Sequence, residues 1–155
     1  MTDIAVFPAY NPADGGHLGL VRTFTATTAW TAGQVLCFAA TGVANALIPC
    51  INGAGTIPVG VALYDTAASA KGAVAMIGSV VKVVFSQASA SLEAGDYVYG
   101  DDNAVAGTIS AVAPAALSST YSLLGILLEG ITGASTGGKG FMLITGPSVA
   151  TGGLT

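Results

Sequence analysis

The residues best placed by type and spacing to do chemistry are Gly133-Ala134-Ser135-Thr136-Gly137-Gly138-Lys139-Gly140. Their spacing is that of a phosphate-binding loop, in which backbone amides cradle phosphates and the lysine reaches them. The last position of such a loop supplies the hydroxyl that holds magnesium, and here it is Gly140. The loop must also open a helix whose N-terminal amides face the phosphate, whereas Phe141-Met142-Leu143-Ile144 reads as a strand. Nucleotide binding is therefore not expected, and no cofactor is.

Other chemistry fares no better. His17 is the single histidine, and Asp14 lies three residues before it in a loose Asp-Gly-Gly-His context. A metal needs several ligands held at workable spacing, so a solvated histidine is expected. No Gly-x-Ser-x-Gly elbow is present, and a base on a loose segment is badly placed to activate a nucleophile. Glu93, Asp96, Asp101 and Asp102 form the one acidic cluster. Calcium takes oxygen ligands of this kind, but the spacing fits no known loop. Tyr97 and Tyr99 between them mark a strand that separates the acids, so solvated turns are expected. Cys37 and Cys50 lie in adjacent predicted strands and face each other or not according to a register the sequence leaves open. Without a secretion signal, reduced half-buried thiols are favoured over a disulfide. These residues predict no catalysis and no metal.

The elements that would position these groups are written twice. Ala32-Gly33-Gln34-Val35-Leu36 returns as Ala94-Gly95-Asp96-Tyr97-Val98, and Val59-Gly60-Val61-Ala62-Leu63 returns as Leu124-Gly125-Ile126-Leu127-Leu128. Lys71-Gly72, with an apolar run closing at Gly78, returns as Lys139-Gly140, with a run closing at Gly146. The copies are offset by 62, 65 and 68 residues (Ala32 to Ala94, Gly60 to Gly125, Lys71 to Lys139). Constant order with drifting loop lengths is what a duplicated β-unit leaves behind. The units run from about residues 31–79 and 93–147. Gly60, Gly78, Gly125 and Gly146 are then explained as structural glycines of a repeat, with no ligand required.

Strand signals fill both copies. Val21 to Thr27 alternates with β-branched residues, and Gly33 to Ala39, Ala46 to Ile51 and Thr56 to Tyr64 follow, with Asn52-Gly53 as a turn. Ala73 to Phe85 is one bent strand or two, hinged at Gly78-Ser79. Ala94 to Tyr99, Val105 to Ile109, Leu123 to Glu129 and Gly140 to Thr145 repeat the scheme, and Ala113 to Leu117 allows one short helix. Residues 1–17 carry Pro8, Pro12 and Gly15-Gly16 and read as an extended arm, either a disordered tail or a segment that orders against a partner. Residues 18–147 read as the β-domain and 148–155 as a frayed polar tail. The expected fold is all-β: a single small β-barrel or β-tulip-like domain built from two related β-units, with an extended N-terminal arm.

Composition sets limits on partners. Of 155 residues only 8% are charged, against roughly 25% in an ordinary soluble domain, and none is charged from Thr23 to Tyr64. The apolar runs are short and broken, far from the ~20 residues of a spanning helix, and Met1-Thr2-Asp3-Ile4 lacks a basic signal region; a soluble protein without a membrane role is expected. A net charge of −4 with four scattered cations, Arg22, Lys71, Lys82 and Lys139, argues against nucleic acid. A surface so poor in charge exposes apolar area of the kind that partners usually cover. Trp30, Tyr64, Phe85 and Tyr97 read as core or interface packing.

The run from Gly33-Gln34-Val35-Leu36 through Asn52-Gly53 to Ile57-Pro58-Val59-Gly60-Val61-Ala62 resembles the head-decoration (cement) proteins of lambdoid tailed phages. Asp65, Lys71-Gly72, Val74 to Ile77 and Gly78-Ser79-Val80 continue the likeness, which covers about a third of the chain. The repeated Leu92-Glu93-Ala94-Gly95-Asp96 and Leu124-Gly125-Ile126 patterns look like other small β-barrel virion proteins. The resemblance implies a non-enzymatic structural protein on the outer capsid surface of a virion, made in the host cytoplasm. It would be a homotrimer that clamps the major capsid protein. The arm would carry that contact through Asp3, Ile4, Val6, Phe7, Pro8, Tyr10, Asn11 and Pro12, with Ile4 to Phe7 adding as a strand to a coat-protein sheet edge. A tail, fibre or adhesin component is the alternative.

Overall fold

The structure, a computed structural model, describes residues 19–39, 43–50, 58–85, 92–100, 106–110, 121–130 and 138–150. The arm at 1–17, the Asn52-Gly53 turn and the short helix at 113–117 lie outside the described residues. Within them the chain is all-β, with ten strands and no helix. The first five are β1 (Val21–Ala26), β2 (Val35–Phe38), β3 (Ala46–Pro49), β4 (Pro58–Ala62) and β5 (Lys71–Ala75). The second five are β6 (Val80–Val84), β7 (Tyr97–Gly100), β8 (Ile109–Ser110), β9 (Tyr121–Leu127) and β10 (Lys139–Ala150). Residues 73–85 thus form parts of two strands, broken where Gly78 adopts φ +83°.

Strands β1 to β5 close a barrel in the order β1-β3-β2-β4-β5, and β6 to β10 form a five-stranded sheet in the order β6-β10-β9-β7-β8. The two orders are the same circuit. β1 pairs with β5 as β6 pairs with β10, and β2 pairs with β3 and β4 as β7 pairs with β8 and β9. Even the irregularity is shared: the ladder slips between Leu36 and Cys37 in one unit and between Val98 and Tyr99 in the other. The likeness therefore begins earlier than the repeated motifs do, because β1 and β6 match in pairing while their sequences do not.

The units differ at one seam. In the barrel, β1 and β3 are joined in parallel, and the Thr25 amide donates to the Asn45 carbonyl at 2.9 Å. In the second unit the equivalent strands, among the described residues, meet at the isolated parallel bridge Phe85↔Ile109. There the turn before β2 enters the gap: the Val84 amide donates to the Gly33 carbonyl at 3.1 Å, and the Val35 amide donates to the Gly107 carbonyl at 2.7 Å. Backbone groups that would be unpaired in an open sheet are satisfied by the neighbouring unit.

Packing follows the same logic. Phe24, Ala26, Trp30, Leu36, Leu47, Ala62 and Val74 fill the barrel. Their repeat equivalents Val83, Phe85, Leu92, Val98, Ile109, Leu127 and Met142 form the inner face of the second sheet. That face is completed by Val35, Cys37, Cys50, Val61, Leu63 and Ala75 of the first unit, all in one continuous cluster. A unit of this size cannot bury a core alone, so the outer wall of the first unit serves as part of the interior of the second.

β10 runs to Ala150, past the point where the sequence reads as a frayed tail. Its register shifts between Ile144 and Ser148, after which Ser148 pairs with Leu123 and Ala150 with Tyr121. Pro147 falls inside this irregularity, where its missing N–H costs no ladder bond.

Candidate interaction surface

The repeated turns show why the residues nominated for chemistry sit where they do. Gly33 (φ +89°) and Gly95 (φ +98°) occupy the left-handed position of equivalent turns. The Gln34 amide donates to the Thr31 carbonyl and the Asp96 amide to the Glu93 carbonyl, both at 3.2 Å. Each turn is tied by a side chain as well: the Thr31 amide donates to Gln34 Oε1 at 2.8 Å, and the Glu93 amide donates to Asp96 Oδ2 at 2.9 Å. Asp96 closes a turn that a neutral glutamine closes in the other copy, so its carboxylate has a structural task. Asp101 and Asp102 lie outside the described residues. Among the described residues no group of three potential ligands could hold a metal ion.

Lys139 opens β10 and pairs with Val84. It therefore begins a strand, whereas a phosphate-binding lysine stands at a helix N-terminus. The loop before it, residues 133–137, lies outside the described residues, as do His17 and every nominated arm residue: Asp3, Ile4, Val6, Phe7, Pro8, Tyr10, Asn11 and Pro12. Cys37 and Cys50 are both buried and are not joined by a disulfide. Cys37 stands opposite Ile48, and the Cys50 amide donates to Val35, so the two cysteines are diagonal neighbours on one face. A hydrogen bond with Cys37, then burial, then the charge on Cys37 push the Cys50 thiol up from its ordinary range.

The structural glycines fall into two pairs. A Cβ built on Gly60 would meet the carbonyl oxygen of Ala75, and one on Gly125 the carbonyl oxygen of Leu143. The adjacent strand leaves no room for a side chain at either. Gly78 and Gly146 both have positive φ (+83° and +100°) at the end of the repeat.

What the structure exposes is apolar surface. Two faces stand out. Tyr97 and Leu128 are 57% and 46% exposed, whereas their repeat equivalents Val35 and Leu63 are fully buried against the second unit. Ile126 and Leu143 are half-buried beside them. The second face is a groove of about 510 Å³ at the mouth of the barrel, with Leu20, Phe24, Phe38, Val59, Met76 and Ile77 along it. Leu124 and Ile144 of the second unit form its far wall, and Arg22 and Asn45 are polar at its margin.

No protein-family model matches the chain, and no curated protein matches it. Among solved structures the chain is similar to the N base of the head fiber protein gp8.5 of bacteriophage phi29. The TM-score is 0.51 at 20% sequence identity, covering 83% of this chain and 97% of that one. The likeness is one of fold. It extends over nearly the whole of the phage domain.

Sequence reading left Tyr97 between core and interface and did not single out Leu128, Leu20, Phe38 and Ile77 as surface residues, because apolar residues in β-patterned segments read as core. The repeat carried a signal that could have found the first pair. Once two units of one design stack, equivalent positions cannot all be buried, and a Tyr standing where the other copy has Val marks the odd one out.

Proposed function

We propose that this chain is a structural protein of a phage virion that decorates and stabilises the capsid, binding coat subunits as a trimer. The observation that carries the reading is the uncovered face of the second unit. Positions whose equivalents are buried in the first unit remain apolar at Tyr97, Ile126, Leu128 and Leu143, which is the charge-depleted composition of an interface centre. The fold likeness to the base of a phage head fiber supports the same class of particle. No chemistry is asked of the protein: of the groups nominated by spacing, those among the described residues serve a turn at Asp96 and a strand at Lys139. The arm supplies the grip through Ile4 to Phe7, and three arms on one trimer add avidity so that each contact can be weak. The partner is the major capsid protein, and the site is the outer surface of the shell.

A second reading is favoured by the same likeness: a base that seats a fibre on the head instead of a clamp over the shell. The two are separated by mixing purified protein with expanded shells of the phage that encodes it and imaging the particles. Decoration places density at many equivalent positions over the shell; a fibre base places it at the foot of projecting fibres. Failure to sediment with shells, or a monomer by light scattering, would overturn the decoration reading.

A further inference from the structure

We infer that the groove at the mouth of the barrel is a docking site for the chain's own arm, occupied by the apolar segment Ile4-Ala5-Val6-Phe7. The positions that line this groove in the first unit, Leu20, Arg22, Val59 and Met76, have as equivalents Ser79, Val81, Leu124 and Ile144 in the second. All four of the latter are buried, and Val81, Leu124 and Ile144 belong to the core cluster that contains Val61 and Ala75. So the mouth of the second unit is covered by the polypeptide that precedes it, the first unit. In the first unit the same positions are open: Leu20 and Arg22 are exposed, and Val59 and Met76 half-buried. The polypeptide that precedes the first unit is the arm.

Position, reach and chemistry agree with this occupant. The described chain enters at Gly19-Leu20, and Leu20 is itself a wall of the groove. Fully extended, the residues between Phe7 and Leu20 span at most about 45 Å, against a radius of gyration of about 15 Å for a domain of this length. Gly15-Gly16 lies between, where the backbone can reverse without steric cost. Ile4 to Phe7 is the apolar, β-capable segment of the arm, and Asp3 beside it is matched by Arg22 at the groove margin. A leash this short holds the segment at millimolar effective concentration, which favours the chain's own groove over that of a second copy. The arm is thus parked on the barrel in the free protein and leaves an apolar groove behind when it engages another surface.

Hydrogen–deuterium exchange on the full chain tests this. The amides of residues 4–7 are expected to exchange at least tenfold more slowly than in an unstructured peptide, at a rate independent of protein concentration. Val59→Asp in the groove and Phe7→Asp in the arm should each return them to the unprotected rate. Ile77→Asp, on the exposed rim, serves as the second groove variant should Val59→Asp fail to fold. Unprotected amides in the unaltered chain would overturn the inference, as would protection that survives in a folded groove variant. Protection that rises with concentration would overturn it in favour of a second copy. The measurement uses free protein, so a failure to bind shells with arm protection intact would count against the decoration role alone.

Discussion

Gly60 and Gly125 hold the same place in two sheets: each lies under the backbone of the neighbouring strand, where a Cβ would strike the carbonyl of Ala75 or Leu143. The side chains around them differ, Val74 in one unit and Met142 in the other, while the backbone approach is conserved. Gly60→Ala and Gly125→Ala should therefore destabilise by similar amounts, about 1–3 kcal/mol as for other overpacked sites. In thermal melts this is roughly 3–10 °C. A large loss at one and none at the other would contradict the equivalence.

Gly78 calls for glycine for a different reason. Its φ is +83° and an added Cβ would meet nothing within 4 Å, so the demand is conformational and not steric. Gly78→Ala should cost about 1–2 kcal/mol from the left-handed backbone alone, and Gly78→Asn less, since Asn tolerates that region. Equal losses for the two variants would show that space, not φ, is limiting.

Charge at equivalent positions should have opposite consequences. Val35→Lys and Leu63→Lys put an unpaired ammonium into the shared core, a change that typically costs several kcal/mol, and should fail to fold. Tyr97→Lys and Leu128→Lys alter exposed positions and should keep the melting temperature within a few degrees while weakening self-association or shell binding. Light scattering and sedimentation with shells separate the outcomes.

The thiol pair makes stability fall on the alkaline side. The folded state raises the Cys50 pKa, so its contribution is fully present below the ordinary thiol value of about 8.5. It is lost as pH rises from there toward the folded value, at up to about 1.4 kcal/mol per pH unit for one proton. Chemical denaturation should give a flat profile from pH 6 to 8 and a decline above, and Cys50→Ala should flatten the decline.

Deleting residues 1–14 removes the proposed grip and leaves the β-domain. The truncated protein should keep its oligomeric state by light scattering and lose binding to shells. Dissociation of the oligomer would place the arm in the subunit interface instead.

Much of this was legible in the residues. The repeat and the strands were readable because period-2 alternation is local: β-branched residues on a pleat leave their mark within a few residues, although Gly33, read as the start of a strand, stands in the turn before β2. The equivalence of β1 and β6 was not, since Val21–Ala26 and Val80–Val84 share pairing partners rather than motifs. The run past Pro147 was hidden because the bulge that accommodates the proline depends on the partner strand.

By itself the amino-acid order determined that the fold is all-β, made of two like units and poor in charge. Only tertiary structure decided which unit closes into a barrel, that the other borrows the barrel's outer wall, and hence which apolar residues are core and which are surface. Val35 and Tyr97 occupy the same position of the same motif, yet one is sealed and the other exposed. The difference arises because burial depends on what packs against a face, and two stacked units leave the outer face of the last one uncovered.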